Sequence, residues 1–273
     1  MRDMQIISRF IILLVCVILL FGCKPIVNML VFHPDNVNVI QNNNLPSGVE
    51  EFVVVTEDDV SIKSLYLPVA GSDKVLIYFH GNAGNIYHRI PSLLQLQRSG
   101  LNIVGVSYRG YGKSEGNPSE EGIYLDGKAI LKYVRKKLGF SDKNIIIFGR
   151  SIGTTVAINT AQNNVIGGLI LVTPLTSGFA HAKVSGLRLI SSLAGNSFDS
   201  ITKITNIKIP VLVIHGTKDR VIPYSMGKEI FDAIKSKKKF ITIEGAGHND
   251  LHDNYGNEYW KPIFGFLKHN LNT

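Results

Sequence analysis

Short apolar runs alternate with longer amphipathic stretches over most of the chain. Apolar runs of this length, rich in β-branched residues, are typical of buried strands, and they lie at 74–79, 102–107, 144–148, 166–172, 211–214 and 240–243. Before them, 49–56 and 61–69 form a pair of predicted strands around an acidic turn. Because helical stretches separate most of the later runs, the pattern predicts an α/β fold with a mostly parallel, eight-stranded sheet flanked by helices.

The N-terminus differs from the rest of the chain. Arg2 and Arg9 precede an unbroken apolar run over 10–22, which ends at Cys23. An apolar run this short behind a basic start is typical of a signal peptide rather than of a full membrane span. The sequence Leu20-Phe21-Gly22-Cys23 also resembles the lipobox of bacterial lipoproteins, in which cleavage before Cys23 leaves that residue lipidated. An uncleaved signal anchor is the alternative interpretation.

Changes of composition predict the organisation of the chain. Residues 1–22 are the predicted signal peptide or anchor, and residues 23–48, rich in Asn with scattered Pro, are a predicted tether. Within the tether, residues 26–32 are candidates for packing on the domain or on the membrane. Residues 49–273 form one predicted domain, and the irregular pattern at about 175–209 predicts a short cap insertion.

Charge and cysteine usage narrow the choice of partners. The net charge of +8 favours anionic surfaces in general, but no nucleic-acid-binding motif is present, so no nucleic-acid partner is predicted. The densest basic run, 235–239, is predicted to end a helix, where cations interact favourably with the helix dipole; a role at a membrane surface is the alternative. Both cysteines, Cys16 and Cys23, precede the domain, which therefore has neither thiol nor disulfide. This usage agrees with export, and the chain is predicted to reside in the cell envelope, attached to the membrane at its N-terminus.

One segment, Gly149-Arg150-Ser151-Ile152-Gly153, joins a predicted strand directly to a predicted helix at 154–162. In this context the pattern G-x-S-x-G is typical of a nucleophile elbow, a strained turn that lifts one hydroxyl clear of the sheet. Ser151 is therefore the candidate nucleophile. The main-chain N–H of Ile152, at the start of the helix, is a candidate donor to a developing oxyanion. An ordinary turn serine is the alternative.

Two glycine-rich loops follow earlier strands. In the first, at 80–85, the glycines allow main-chain N–H groups to approach a reacting carbonyl, and Asn82 is the second candidate oxyanion donor through its main chain. His80 is interpreted as structural, because a later histidine suits the base better. In the second loop, at 108–116, Arg109 and Tyr111 are expected mainly to hold the loop beside the site.

The candidate acid and base follow the last two strands. Asp219 comes at the carboxyl end of the strand at 211–214, and His248 lies in a glycine loop after the strand at 240–243. The chain order Ser, Asp, His is the one expected for a hydrolase elbow, and the three side chains supply nucleophile, base and orienting carboxylate. Asp250 is a rival acid, but it lies too near His248 in sequence to reach the far ring nitrogen easily.

Five segments together resemble the α/β-hydrolase superfamily: 80–85, 108–116, 149–153, 215–219 and 247–248. More narrowly, they resemble its small, lid-poor, membrane-tethered serine hydrolases, which are related to the protein depalmitoylases and are often labelled serine-aminopeptidase-like. The resemblance covers the chain from about Val49 to the C-terminal helix. It implies the fold and the triad, but not the substrate, since such groups include esterases, thioesterases and lipases.

The sequence thus predicts a serine hydrolase that cleaves an ester or thioester of an acyl-chain or lipid-like substrate. Ser151, His248 and Asp219 are the candidate catalytic residues, and the reaction needs no cofactor and no metal. His248 and His252 have helical zinc-ligand spacing, but Asn249 occupies the position where the zinc-protease pattern needs Glu. A serine peptidase and a non-catalytic binding protein of the same fold are the alternative functions.

Overall fold

The computed structural model describes residue 28 and residues 31–35, 45–184 and 196–271. One sheet of eight strands organises these residues, in the order β1-β2-β4-β3-β5-β6-β7-β8. The strands are β1 (Glu50–Val55), β2 (Ser61–Leu67), β3 (Val75–Phe79), β4 (Asn102–Val106), β5 (Ile145–Arg150), β6 (Gly168–Val172), β7 (Val211–Gly216) and β8 (Lys238–Ile243). Strands β3 to β8 pair in parallel, whereas β1 and β2 join the sheet antiparallel. The predicted mostly parallel, eight-stranded sheet is confirmed.

Helices connect the parallel strands, and two more follow the last strand. They are α1 (Ile90–Gln97), α2 (Glu120–Lys136), α3 (Gly153–Ala161), α4 (Gly178–Val184), α5 (Ser200–Ile204), α6 (Tyr224–Ala233), α7 (Leu251–Asn254) and α8 (Gly256–Leu271). The longest, α2, begins after Ser119, whose hydroxyl accepts a hydrogen bond from the N–H of Gly122 at 3.0 Å. Acidic residues in its first turn and basic residues in its last turn complement the helix dipole.

Hydrophobic side chains cover both faces of the sheet. Successive residues of a strand point to opposite faces, so the fully buried Leu76 and Ile77 of β3 belong to two separate cores. Ile77 lies in the core that α2 and α3 complete, and Leu76 in the core that α1 and α8 complete. The sheet is therefore the middle of three layers. At the carboxyl ends of the parallel strands, loops rather than helices cover the edge of the sheet.

The basic run at 235–239 does not end a helix as predicted. Helix α6 ends at Ala233, because the next residue, Ile234, turns to an extended conformation and buries its side chain. Lys238 instead begins β8, and its Nζ donates to the carbonyl oxygens of Phe231 and Asp232 at 2.7 and 3.1 Å. A lysine thus does contact the last carbonyl groups of α6, where a positive charge is favourable, but this lysine belongs to the following strand.

Several predictions concern residues that the structure does not describe. The segment at 1–22 and Cys23 lie outside the described residues, as do residues 185–195 of the predicted cap. The described part of that cap contains α4 and α5. Among the helices that are described, none combines the length and the apolar character that crossing a bilayer requires.

Candidate active site

The nucleophile candidate lies on a strained turn between β5 and α3. Ser151 has a φ of 55°, in the left-handed region that residues with a side chain rarely adopt. Its N–H donates to the carbonyl of Val172 at 2.9 Å, and its carbonyl accepts from the N–H of Thr154 at 2.9 Å. These bonds hold the strained backbone in place, so the Ser151 hydroxyl is directed away from the sheet.

Two glycines permit this turn. A Cβ added at Gly149 would lie 2.5 Å from the carbonyl oxygen of Gly153, and one added at Gly153 would lie 2.6 Å from the carbonyl oxygen of His80. Both distances are far below van der Waals contact. Glycine is therefore required at each end of the elbow, where helix α3 crosses β3 and β5.

Ser151, His248 and Asp219 form a continuous hydrogen-bonded chain. The Oγ of Ser151 is 3.0 Å from Nε2 of His248, and Nδ1 of the same ring is 2.7 Å from Oδ2 of Asp219. Because an ionised carboxylate can only accept, Nδ1–H donates to Asp219 and Nε2 accepts from the Ser151 hydroxyl. The structure thus brings the three predicted side chains together, in the tautomer that a general base needs.

Both oxygens of the Asp219 carboxylate accept hydrogen bonds. Its Oδ1 accepts from the main-chain N–H groups of Val221 and Ile222, both at 2.8 Å. Oδ2, which accepts from His248, also lies 3.4 Å from Nε2 of His215. Burial raises the pKa of Asp219, but the hydrogen bonds from His215 and His248 outweigh it and hold the pKa well below its ordinary value. Asp219 is therefore an anion with a fixed orientation.

Sequence patterns did not identify what holds the His248 loop. The guanidinium of Arg150, the residue before the nucleophile candidate, donates to the carbonyl of His248 at 3.0 Å and to Oδ1 of Asn249 at 3.3 Å. Within the same loop, Oδ1 of Asp250 accepts from the N–H of Gly247 at 2.8 Å. Asp250 thus braces the loop, and the contact to Nδ1 of His248 belongs to Asp219.

The two candidate oxyanion donors flank the serine. A Cβ added at Gly81 would lie 3.4 Å from Cβ of Ser151, so the loop at 80–85 passes directly beside the nucleophile candidate. Among the described residues, neither the main-chain N–H of Asn82 nor that of Ile152 donates a hydrogen bond. The role of both N–H groups as oxyanion donors stays a prediction.

His80 has the environment of a structural residue. It is fully buried, Nδ1 donates to the carbonyl of Gly81 at 2.6 Å, and its ring lies 4.5 Å from that of Tyr108, centroid to centroid. Burial lowers its pKa to about 3, so the ring is neutral at physiological pH. The second histidine of the zinc-ligand spacing, His252, has its Nδ1 3.5 Å from Oδ2 of Asp253. The described residues contain no cluster of side chains suited to hold a metal ion.

The second glycine-rich loop is held by an ion-pair network. Arg109 donates to both carboxylate oxygens of Asp58, at 2.6 and 2.9 Å, and through Nε to Asp126 at 2.9 Å. Burial raises the pKa of Asp126 to about 6, against the effect of Arg109. The hydroxyl of Tyr111 donates to Oδ1 of Asn82 at 2.7 Å. The loop at 108–116 is thus tied both to β1–β2 and to the loop beside Ser151.

Comparison with known proteins gives the family. Residues 74–191 match the family described as alpha/beta hydrolase fold, and residues 186–254 match the family described as serine aminopeptidase. The chain is 34% identical to alpha/beta hydrolase domain-containing protein 17C of Mus musculus over 226 aligned residues. This alignment covers 82% of this chain and 69% of that protein. The chain is 33% identical to alpha/beta hydrolase domain-containing protein 17B of Homo sapiens over 226 aligned residues, which cover 82% of this chain and 77% of that protein.

Solved structures agree with this assignment at the level of the fold. An esterase from Pyrococcus furiosus has a TM-score of 0.72 at 22% identity and covers 88% of this chain and 98% of its own. An α/β hydrolase from Vibrio vulnificus has a TM-score of 0.68 at 20% identity and covers 81% of each chain. Together with the relatives above, these likenesses mean that the chain belongs to the α/β-hydrolase superfamily and is a hydrolase of that fold.

Proposed function

We propose that the protein is a serine hydrolase that cleaves an ester or thioester through Ser151, His248 and Asp219. The observation that carries the proposal is the unbroken chain of contacts from the serine hydroxyl through the imidazole to a buried carboxylate, at 3.0 and 2.7 Å. Serine is a weak nucleophile by itself, and an adjacent base of this kind is what activates it. The left-handed backbone at Ser151 supports the same role.

The first half-reaction forms an acyl-enzyme. Ser151 Oγ attacks the carbonyl carbon of the substrate while Nε2 of His248 takes the hydroxyl proton. The carbonyl oxygen becomes an anion, which the N–H groups of Asn82 and Ile152 bind. When the bond from carbon to the leaving oxygen or sulfur breaks, His248 gives its proton to that atom, and the acyl group stays on Ser151.

The second half-reaction releases the acid. Water attacks the acyl carbon and transfers a proton to Nε2 of His248, and the bond to Ser151 Oγ then breaks as the proton returns to the serine. Throughout, Asp219 keeps the proton of the neutral ring on Nδ1 and stabilises the imidazolium that forms in each step. No cofactor takes part in this scheme.

The substrate class is the finer part of the proposal. We propose an acyl-chain or lipid-like substrate, because the predicted cap is short and the N-terminal segment favours a position at a membrane. The match of residues 186–254 to the serine aminopeptidase family makes an amide substrate the second candidate.

A panel of synthetic substrates tests the choice. The full chain is incubated with p-nitrophenyl acetate, butyrate, octanoate and palmitate, with palmitoyl-coenzyme A, and with amino-acid p-nitroanilides. We expect hydrolysis of the esters and the thioester, with kcat/KM rising with acyl length, and labelling by a fluorophosphonate that mass spectrometry locates on Ser151. A preference for the p-nitroanilides would support the peptidase instead. A folded chain that hydrolyses none of them and forms no adduct would contradict the serine hydrolase and favour a non-catalytic binding protein.

We also propose that the chain is a lipoprotein of the cell envelope, attached to the membrane through Cys23. The apolar run before Cys23 and the lipobox-like sequence support this proposal. In bacterial cells fed an alkyne fatty acid, Cys23→Ser is expected to lose the lipid label and to keep the uncleaved N-terminus. Cys16→Ser, the matched control, should behave as the parent. Retention of the label in Cys23→Ser, or an uncleaved and unlabelled parent, would contradict the lipoprotein and favour the signal anchor.

A further inference from the structure

Residues 31–35, which the sequence places in the tether, lie against the domain. We call this segment the strap. Phe32 is only 6% exposed, and its ring meets that of Phe198 edge-on with the centroids 6.0 Å apart. At the far end of the strap, the carbonyl of Asp35 accepts from the N–H of Gly112 at 3.2 Å. The strap is therefore packed at both ends, unlike a flexible linker.

The middle of the strap is bound by the side chain of Asn82. Oδ1 of Asn82 accepts from the main-chain N–H of His33 at 3.0 Å, and Nδ2 donates to the main-chain carbonyl of Val31. The hydroxyl of Tyr111 donates to the same Oδ1 at 2.7 Å. The amide thus uses both its acceptor and its donor, and it joins the strap to two loops of the site. Neither aspartate nor alanine can make this set of bonds.

The strap also contacts later residues of the loop at 80–85. Pro34 forms an isolated parallel bridge with Gly84, which has a φ of 76°. Asn85, the last residue of the loop, donates through Nδ2 to the carbonyl of Asp35 at 3.4 Å. Glycine-rich backbone loses much conformational freedom when it is ordered. The strap thus contacts the loop from outside at Asn82, Gly84 and Asn85.

From this geometry we propose that the strap is a positioning element of the active site. Through the Asn82 side chain, it holds the main-chain N–H of Asn82 in the direction of the substrate oxyanion. The inference rests on the proposed function, in which that N–H is one of the two oxyanion donors. Stabilisation by such a donor depends on a distance of about 2.7–3.1 Å, so a small displacement of the loop weakens it.

A pair of substitutions at one position isolates the strap contact. In the full chain, His33→Pro removes the N–H that donates to Asn82, whereas His33→Ala keeps it. The rate of p-nitrophenyl butyrate hydrolysis, the rate of fluorophosphonate labelling and the melting temperature are measured for both. We expect His33→Pro to lower kcat about 10-fold with KM nearly unchanged, and His33→Ala to match the parent.

A double-mutant cycle then tests the route through Asn82. Asn82→Ala keeps its main-chain N–H but loses the bonds to the strap, and we expect kcat to fall by about 10- to 100-fold. Because the strap acts through this side chain, adding His33→Pro to Asn82→Ala should change kcat little further. Tyr111→Phe, which removes one hydroxyl donor to Asn82, should lower kcat by a smaller factor.

The outcomes separate the two proposals. If the parent hydrolyses the ester and reacts with the fluorophosphonate, but His33→Pro and Asn82→Ala retain its kcat and change only the melting temperature, the strap is a structural brace and the inference is overturned alone. The inference would also be overturned if the fold-losses of kcat in His33→Pro and Asn82→Ala multiplied in the double mutant, because the two residues would then act independently. If the folded parent itself neither hydrolyses nor reacts, the proposed function fails and the inference fails with it.

Discussion

Replacement of Ser151 by alanine is expected to lower kcat for ester hydrolysis by about 10⁵- to 10⁶-fold and to abolish fluorophosphonate labelling. The substitution removes the attacking atom and leaves the Asn82 and Ile152 N–H groups in place. His248→Ala is expected to cost a similar factor, since the hydroxyl then has no base at 3.0 Å. Because the two residues act as one unit, the double mutant should be no slower than either single mutant.

The measurement is the steady-state rate on p-nitrophenyl butyrate, with the melting temperature of each variant as a check on folding. Ser47→Ala is the matched control, because Ser47 is an exposed serine in the turn before β1. It should retain the parent rate and the label. Labelling that persists in Ser151→Ala, or a multiplicative loss in the double mutant, would show that the two contacts among Ser151, His248 and Asp219 are structural and that another group attacks the substrate.

The candidate nucleophile could be predicted because its evidence is local. A buried strand, G-x-S-x-G and a helix stand in one window of the sequence, and the structure has β5 ending at Arg150 and α3 beginning at Gly153. Asp219 and His248 are far from Ser151 in sequence, yet parallel strands end at one edge of the sheet. Residues that follow β7 and β8 therefore lie near those that follow β5, so positions at strand ends, together with the chain order, predicted two side chains that the structure brings beside Ser151.

Contacts that depend on tertiary packing could not be predicted. Asn82 and Val31 are separated by 51 positions, and no periodicity links a polar loop residue to the main chain of a segment that resembles a linker. The contact of Arg150 with the His248 loop spans 98 positions and occupies the variable position of its motif. The prediction that the basic run at 235–239 ends a helix was wrong for a related reason, since α6 ends before the buried Ile234, earlier than charge patterning indicated.

Asp219→Asn is expected to lower kcat by about 10⁴-fold while leaving Ser151 and His248 in place. An amide can donate to the imidazole, so it favours the tautomer with the proton on Nε2, where that nitrogen can no longer accept the serine proton. Asp250→Asn is the matched control, because Asp250 lies in the same loop as His248 but bonds the N–H of Gly247. It should stay within about threefold of the parent, as expected for a residue outside the reacting groups. The reverse ranking of the two variants would assign the acid to Asp250.

The same substitution has a second, independent consequence for stability. The pKa of Asp219 lies below its ordinary value in the folded chain, whereas an unfolded aspartate titrates near about 3.9. Above that pH neither state binds a proton at this site, and the stabilisation is complete; as the pH falls, the unfolded state protonates first and the stabilisation is lost. The unfolding free energy of the parent should therefore fall more steeply between about pH 5 and pH 3 than that of Asp219→Asn. Denaturant melts across this range measure both slopes, and parallel curves would show that the bonds from His215, His248 and Ile222 do not lower the pKa of the carboxylate.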